Sequence, residues 1–187
     1  MGALSDMVRQ GKALYVGISN YQDEEAKKAA QILRANGTPC LINQPRYNMF
    51  ERWIEGRLLD VMEEEGVGVI AYSPLAQGAL TDRYLKEIPE GSRAARANTT
   101  VKGRYMSDEQ MAKIRALNDI AVARGQSLAQ MALLWILRKP QVTSVLVGAS
   151  RIDQMEANIA AIKGAPFTQE ELDAIDAIVG EARVQLP

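Results

Sequence analysis

The sequence predicts an α/β fold with a parallel sheet, and three observations carry that prediction. Four short apolar runs, residues 14–18, 40–44, 67–72 and 144–147, have the length of buried strands. Between them lie longer segments whose apolar residues recur at helical spacing, and strand alternating with helix is the rhythm of parallel strands joined by crossovers. Polar residues gather where each run ends: Ser19 and Asn20, Asn43 and Gln44, Tyr72 and Ser73, Gly148 and Ser150. In parallel strands all of these ends lie at one edge of the sheet.

Residues 2–12 read as a helix and its exit loop, so the repeat starts in mid-unit. The run 14–18 leads into a helix over 23–36, where Ala26, Ala29, Ala30 and Leu33 share a face and Asn36-Gly37 supplies the C-terminal cap. After 40–44 come Tyr47 to Phe50 and a helix over 55–65 that stops at Gly66. The run 67–72 opens a long connection, 73–106, closed by Ser107-Asp108-Glu109-Gln110, a capping box that starts a helix to residue 124. Met131, Leu134, Trp135 and Leu137 give packing positions to a helix over 128–137, ended before Pro140. The run 144–147 feeds a helix through Gln154, Asn158 and Ile162, and the last helix, 168–181, begins with a Thr168 cap and Glu171 at its third position. Four parallel strands with outer helices can form an open doubly wound sheet or half of an eight-stranded (β/α)8 TIM-type barrel. Polar strand ends favour the barrel, whose chemistry sits on that face.

Composition narrows the function. The chain has 187 residues, 47% hydrophobic and 24% charged, with a formal net charge of -1. That balance offers no field for nucleic acid or an anionic membrane, and no apolar run approaches the roughly 18 residues of a span, so a cytoplasmic protein is expected. Cys40 is the only cysteine and lies in an apolar run, as a buried thiol would. There is no histidine, which removes the commonest metal ligand and the commonest general base; Ser-His-Asp and Cys-His chemistry are excluded and no metal site is expected. Glu63-Glu64-Glu65 at a helix end reads as solvated surface.

The most informative stretch runs from Thr143 to Gln154, where a β-branched run breaks at Gly148 and passes into helix-starting residues. Gly148 permits close backbone approach, free N–H groups of a first helical turn favour an anion, and Arg151 adds a fixed positive charge. A phosphate suits such a place.

Five motifs in order carry a family resemblance: Gly17-Ile18-Ser19-Asn20, Asn43-Gln44-Pro45-Arg46-Tyr47-Asn48, Ala71-Tyr72-Ser73-Pro74-Leu75-Ala76-Gln77-Gly78-Ala79-Leu80, Gln126-Ser127-Leu128-Ala129-Gln130-Met131-Ala132-Leu133 and Val147-Gly148-Ala149-Ser150-Arg151. Together they resemble the C-terminal half of the aldo-keto reductases, over nearly all of residues 1–187. The resemblance implies a NADPH-dependent oxidoreductase of aldehydes or ketones, represented by its cofactor-binding half. It implies that the nicotinamide lies across Tyr72 and that Ser19, Asn20 and Gln44 hold its carboxamide. Ser73, Leu75 and Gly78 then cover the pyrophosphate, with Arg83 and Arg93 as basic partners. Gly148, Ser150, Arg151, Gln154 and Asn158 meet the adenosine 2′-phosphate end, and a guanidinium beside a helix start favours NADPH over NADH.

Plainer roles stay open for the same side chains. Tyr72 could pack a barrel rim, Ser19 and Asn20 could cap a turn, Gln44 before Pro45 could serve backbone groups, and Arg93, in the polar segment 91–100, could be solvated. The family's catalytic Asp, Tyr, Lys and His belong to the other half, so no catalytic residue is assigned in this chain. A half-barrel has unpaired edge strands and an exposed apolar inner face, so self-association is expected, along with a small carbonyl substrate once an N-terminal half completes the site. The other class that fits is a non-catalytic dinucleotide-binding or assembly module.

Overall fold

A computed structural model of the chain describes residues 1–85, 88, 90, 92, 95 and 100–180. Four parallel strands, β1 (Val16–Ile18), β2 (Cys40–Asn43), β3 (Gly68–Ala71) and β4 (Val142–Val145), form one sheet in the order β1-β2-β3-β4. Helix α1 (Gly2–Arg9) precedes β1, α2 (Asp23–Ala35) joins β1 to β2, and α3 (Leu58–Glu65) joins β2 to β3. Between β3 and β4 come α4 (Thr100–Tyr105), α5 (Asp108–Ala123) and α6 (Leu128–Leu137), and after β4 come α7 (Ile152–Ala160) and α8 (Gln169–Val179). The α/β fold with parallel strands and outer helices is therefore the expected one.

Local chemistry sets the boundaries. Ser127 and Thr168 make full capping boxes with Gln130 and Glu171, whereas Ser107 accepts from the Gln110 backbone in a one-sided cap. The Asn36-Gly37 stop holds, with Gly37 at φ 71°, and Gly66 ends α3 in the left-handed region. Four expectations change. α3 begins at Leu58 rather than at 55, because a separate 3-10 turn, Trp53–Glu55, and Gly56 intervene. β4 lies two residues upstream of the apolar run, since pairing with β3 joins Val142 to Val69 and Val145 to Ala71. The connection 73–106 contains α4. Glu65 is a strut rather than free surface: Gln31 Nε2 and Arg34 Nη1 donate to its carboxylate at 2.9 Å each, tying α2 to α3. Cys40 is buried, as expected.

The sheet has two unlike faces. Val16, Ile18, Val69 and Ala71 are buried against the helices, where α2 and α3 pack together and α6 lies on β4. On the other face a Cβ at Gly17 would meet Ile42 at 2.7–2.8 Å, and one at Gly68 would meet Thr143 Oγ1 at 3.0 Å. Gly17, Ile42, Gly68 and Thr143 thus make a row across the sheet in which side chains alternate with gaps. Leu14 and Tyr15, just before β1, and Leu41 of β2 are 85%, 70% and 50% exposed.

The helical side is locked by a buried polar group. Glu55 accepts from Tyr47 Oη and from Arg138 Nη2 at 3.3 Å on one oxygen, and from Arg52 Nη2 at 2.8 Å on the other. Arg52 also reaches Asp176 of α8 at 2.7 Å, and the Trp135 ring lies 5.1 Å from the Arg52 guanidinium and 3.6 Å from that of Arg138. Burial and the neighbouring Glu55 charge push the Tyr47 hydroxyl far above its ordinary range. This group fastens the loop after β2 to α6 and α8, which holds the strand ends in place.

Candidate functional site

The candidate site lies at the C-terminal edge of the sheet, where the loops after all four strands meet. Backbone bonds fix them there: Gln44 N donates to Ile18 O at 2.8 Å, Tyr72 N to Pro45 O at 3.0 Å and Leu146 N to Ala71 O at 2.8 Å. Pairing thus continues past the strands and aligns Arg46 beside Tyr72.

A cleft of about 980 Å³ opens between the loop after β3 and the start of α7. Ser73, Leu75, Gly78 and Arg83 line one side; Gly148, Ser150, Arg151, Gln154 and Asn158 line the other. Nine of the fourteen expected positions therefore share one cavity. A Cβ at Gly148 would meet nothing within 4 Å, so the space over its backbone is open to a ligand. The polar groups are held by weak, exposed partners. Arg151 donates from Nε and Nη2 to both Asp153 oxygens at 3.0 and 2.8 Å, and the Ser150 backbone N and Oγ both donate to Gln154 Oε1, at 3.2 and 3.1 Å. The apolar run ends in a loop, not a strand, so residues 146–150 rather than the strand tip form this wall.

Ser19, Asn20, Gln44 and Tyr72 are also brought together, through one another. Ser19 Oγ donates to Gln44 O at 2.8 Å, Asn20 Nδ2 to Tyr72 Oη at 3.1 Å, and the Arg46 backbone N to Asn20 Oδ1 at 3.1 Å. Asn20 and Tyr72 line a second cleft of about 740 Å³, while Ser19 and Gln44 line neither cleft. Asn20 therefore bridges the loops after β2 and β3 rather than capping the segment that follows it. Arg93 lies outside the described residues.

All four non-glycine residues with positive φ among the described residues stand at this edge: Asn20 at 57°, Ser73 at 54°, Ala76 at 47° and Gln77 at 59°. Each costs on the order of 1 kcal/mol, and such costs concentrate at binding sites.

Sequence reasoning missed Arg46, Glu51 and Arg104 at the second cleft. Glu51 accepts from Asn48 Nδ2 at 2.9 Å, Tyr105 Oη at 3.0 Å, Arg46 Nη1 at 3.3 Å and Arg104 Nη1. Burial alone would raise its pKa, but these donors and the two positive charges outweigh it and hold the carboxylate below its ordinary range. Burial, then the Glu51 charge, drives the Tyr105 hydroxyl well above its usual range, the reverse of what a catalytic acid needs. The signal for Arg46 was present, a lone charge inside the quoted Gln44-Pro45-Arg46-Tyr47 motif. Arg104 carried none, because it reaches Glu51 across 53 positions. Among the described residues no group of acidic, cysteine or histidine side chains could hold a metal, and no single helix is long and apolar enough to cross a membrane.

The chain is 46% identical over 98% of its length to an L-glyceraldehyde 3-phosphate reductase of Escherichia coli O157:H7 and 45% identical to that of strain K12, covering 54% of each. It is 34% identical over 95% of its length to a probable voltage-gated potassium channel subunit beta of Oryza sativa subsp. japonica, covering 56% of it. The chain thus spans about half the length of the curated relatives it matches. The family model for aldo/keto reductases matches residues 1–180, and the chain belongs to the aldo/keto reductase family.

Proposed function

We propose that this chain is the C-terminal, cofactor-binding half of a NADPH-dependent aldo-keto reductase barrel. The observation that carries the reading is the single cleft joining Ser73, Leu75, Gly78 and Arg83 to Gly148, Ser150, Arg151, Gln154 and Asn158. The residues fit the cofactor: open backbone at Gly148, the Ser150 N–H and hydroxyl, and the Arg151 guanidinium suit the 2′-phosphate end. Ser73 and Gly78 stand where a pyrophosphate would cross, with Arg83 beside them. Tyr72, with Asn20 bonded to its hydroxyl, offers a platform for the nicotinamide at the sheet edge. Bound there, the dinucleotide supplies hydride to the carbon of an aldehyde or ketone. The chain's own residues bind and orient it, and the proton donor to the carbonyl oxygen comes from an N-terminal half-barrel.

Titration of the purified chain with NADPH and NADH tests this. NADPH should bind at least tenfold more tightly, and Arg151→Ala should erase that preference while leaving NADH binding nearly unchanged. Equal affinity for both cofactors, or indifference to Arg151→Ala, overturns the assignment of the 2′-phosphate.

A second reading, a non-catalytic dinucleotide-binding or assembly module, is favoured by the bare side of the sheet and by α7, which has no buried residue and exposes Ile152 and Ile159. On this reading the chain self-associates without turnover. Mass in solution with and without NADPH, and carbonyl reduction after mixing with a separately made N-terminal half, separate the two.

A further inference from the structure

The second cleft, beside Tyr72, is lined by four cations, Arg46, Arg52, Arg104 and Lys113, and by one carboxylate, Glu51. Two of the cations are engaged elsewhere: Arg52 is 8% exposed and turned to Glu55 and Asp176, and Lys113 pairs with Glu109 at 3.0 Å. Arg46 and Arg104 converge on the same Glu51 oxygen. The other oxygen is taken by Asn48 and Tyr105. One carboxylate thus faces two guanidinium charges with its acceptor positions filled, which leaves the triad one positive charge in excess.

Hydrogen-bonding capacity is in excess as well. Arg46 Nε is buried and finds no acceptor among the described residues, and Arg104 is half exposed, free to turn from Glu51 toward a ligand. The Arg46 guanidinium carbon lies 5.4 Å from the centroid of the Tyr72 ring. An anion held there would stand beside a nicotinamide laid on that ring, within a few bonds of a carbonyl presented to it.

We propose that this cleft is an anion subsite, in which Arg46 and Arg104 take the phosphate or carboxylate end of a small carbonyl substrate and so select for anionic substrates. The proposal rests on Tyr72 as the nicotinamide platform. Glu51 orients both guanidinium groups and competes with the ligand for them, so the pair is pre-aligned for a planar or tetrahedral oxyanion.

The probes are glycerol 3-phosphate, glycerate and glycerol, added to the full chain with tryptophan fluorescence as readout. Trp53 lines this cleft and its Nε1 donates to Arg46 O at 3.0 Å, whereas Trp135 is fully buried. Glycerol 3-phosphate or glycerate should give a saturable change that glycerol does not, and the stronger of the two identifies the anion. Arg46→Gln and Arg104→Gln should each weaken binding at least tenfold, with NADPH affinity unchanged. Arg104, being half exposed, keeps the test decisive if Arg46→Gln unfolds the chain. Loss of anion binding in Arg151→Gln but not in Arg104→Gln would place the anion in the first cleft and overturn the proposal. So would equal responses to glycerol and glycerol 3-phosphate, or none at millimolar probe. Anion binding that survives in a chain unable to bind NADPH would sink the cofactor reading alone.

Discussion

The two sides of the sheet are built from the same strands and have opposite fates. On the helical side Trp135, Leu117, Met131 and Leu128 are fully enclosed, and Arg52, Glu55 and Arg138 are bonded across three segments. On the other side Gly17, Ile42 and Gly68 are half-buried and Thr143 is exposed, and Leu14, Tyr15 and Leu41 are exposed near the same strands. β1 and β4 each have one neighbour, so both edges of the sheet are free among the described residues. The contrast teaches where the chain draws its stability, from the helical layer, and which face it leaves more open. In a closed parallel barrel both faces of every strand are covered.

The comparison can be broken most forcefully on the helical side. Trp135→Ala should cost about 3–5 kcal/mol, seen as a lower urea midpoint, because a large ring enclosed by Tyr47, Arg52 and Arg138 leaves a cavity. Glu55→Gln should cost about 3 kcal/mol, since Arg52 and Arg138 would keep their charges without the carboxylate that offsets them. A pH series sharpens the same point. Burial alone would raise the Glu55 pKa, but the bonds from Arg52 and Tyr47 and the charge of Arg138 lower it overall. Its contribution is complete above the ordinary carboxylate range and is lost as pH falls through the lowered value, so the wild-type midpoint should decline in acid and that of Glu55→Gln should decline less. Among the exposed apolar residues of the strands, Leu41→Ser should change stability by no more than about 0.5 kcal/mol while reducing association measured by light scattering. A large stability loss there with no change in mass would contradict the division between the faces.

Much of the frame was legible because it is written locally. Ser107 and Thr168 announce helix starts within four residues, and Gly37 and Gly66 announce ends by a conformation other residues avoid. β4 was misplaced because its register is decided by Val69 and Ala71 across the sheet, and the run over 144–147 is apolar whether or not it pairs. The first cleft was largely legible, since its two walls are contiguous motifs. Glu51 with Arg46 and Arg104 was not, because that triad exists only once α4 folds over the loop after β2, and Glu65 looked like bare surface until α2 brought Gln31 and Arg34 against it.

The left-handed residues at the strand ends carry an evolutionary consequence. Asn20, Ser73, Ala76 and Gln77 sit where glycine would fit with less steric cost, yet the chain keeps side chains there. Glycine would relax the folded loop but would also enlarge the repertoire of the unfolded one, so the two effects oppose each other. What the present residues secure is a single loop shape ready before any ligand arrives. If the edge takes the proposed dinucleotide, drift toward glycine at these positions would be felt first as slower, less selective capture rather than as a lost fold.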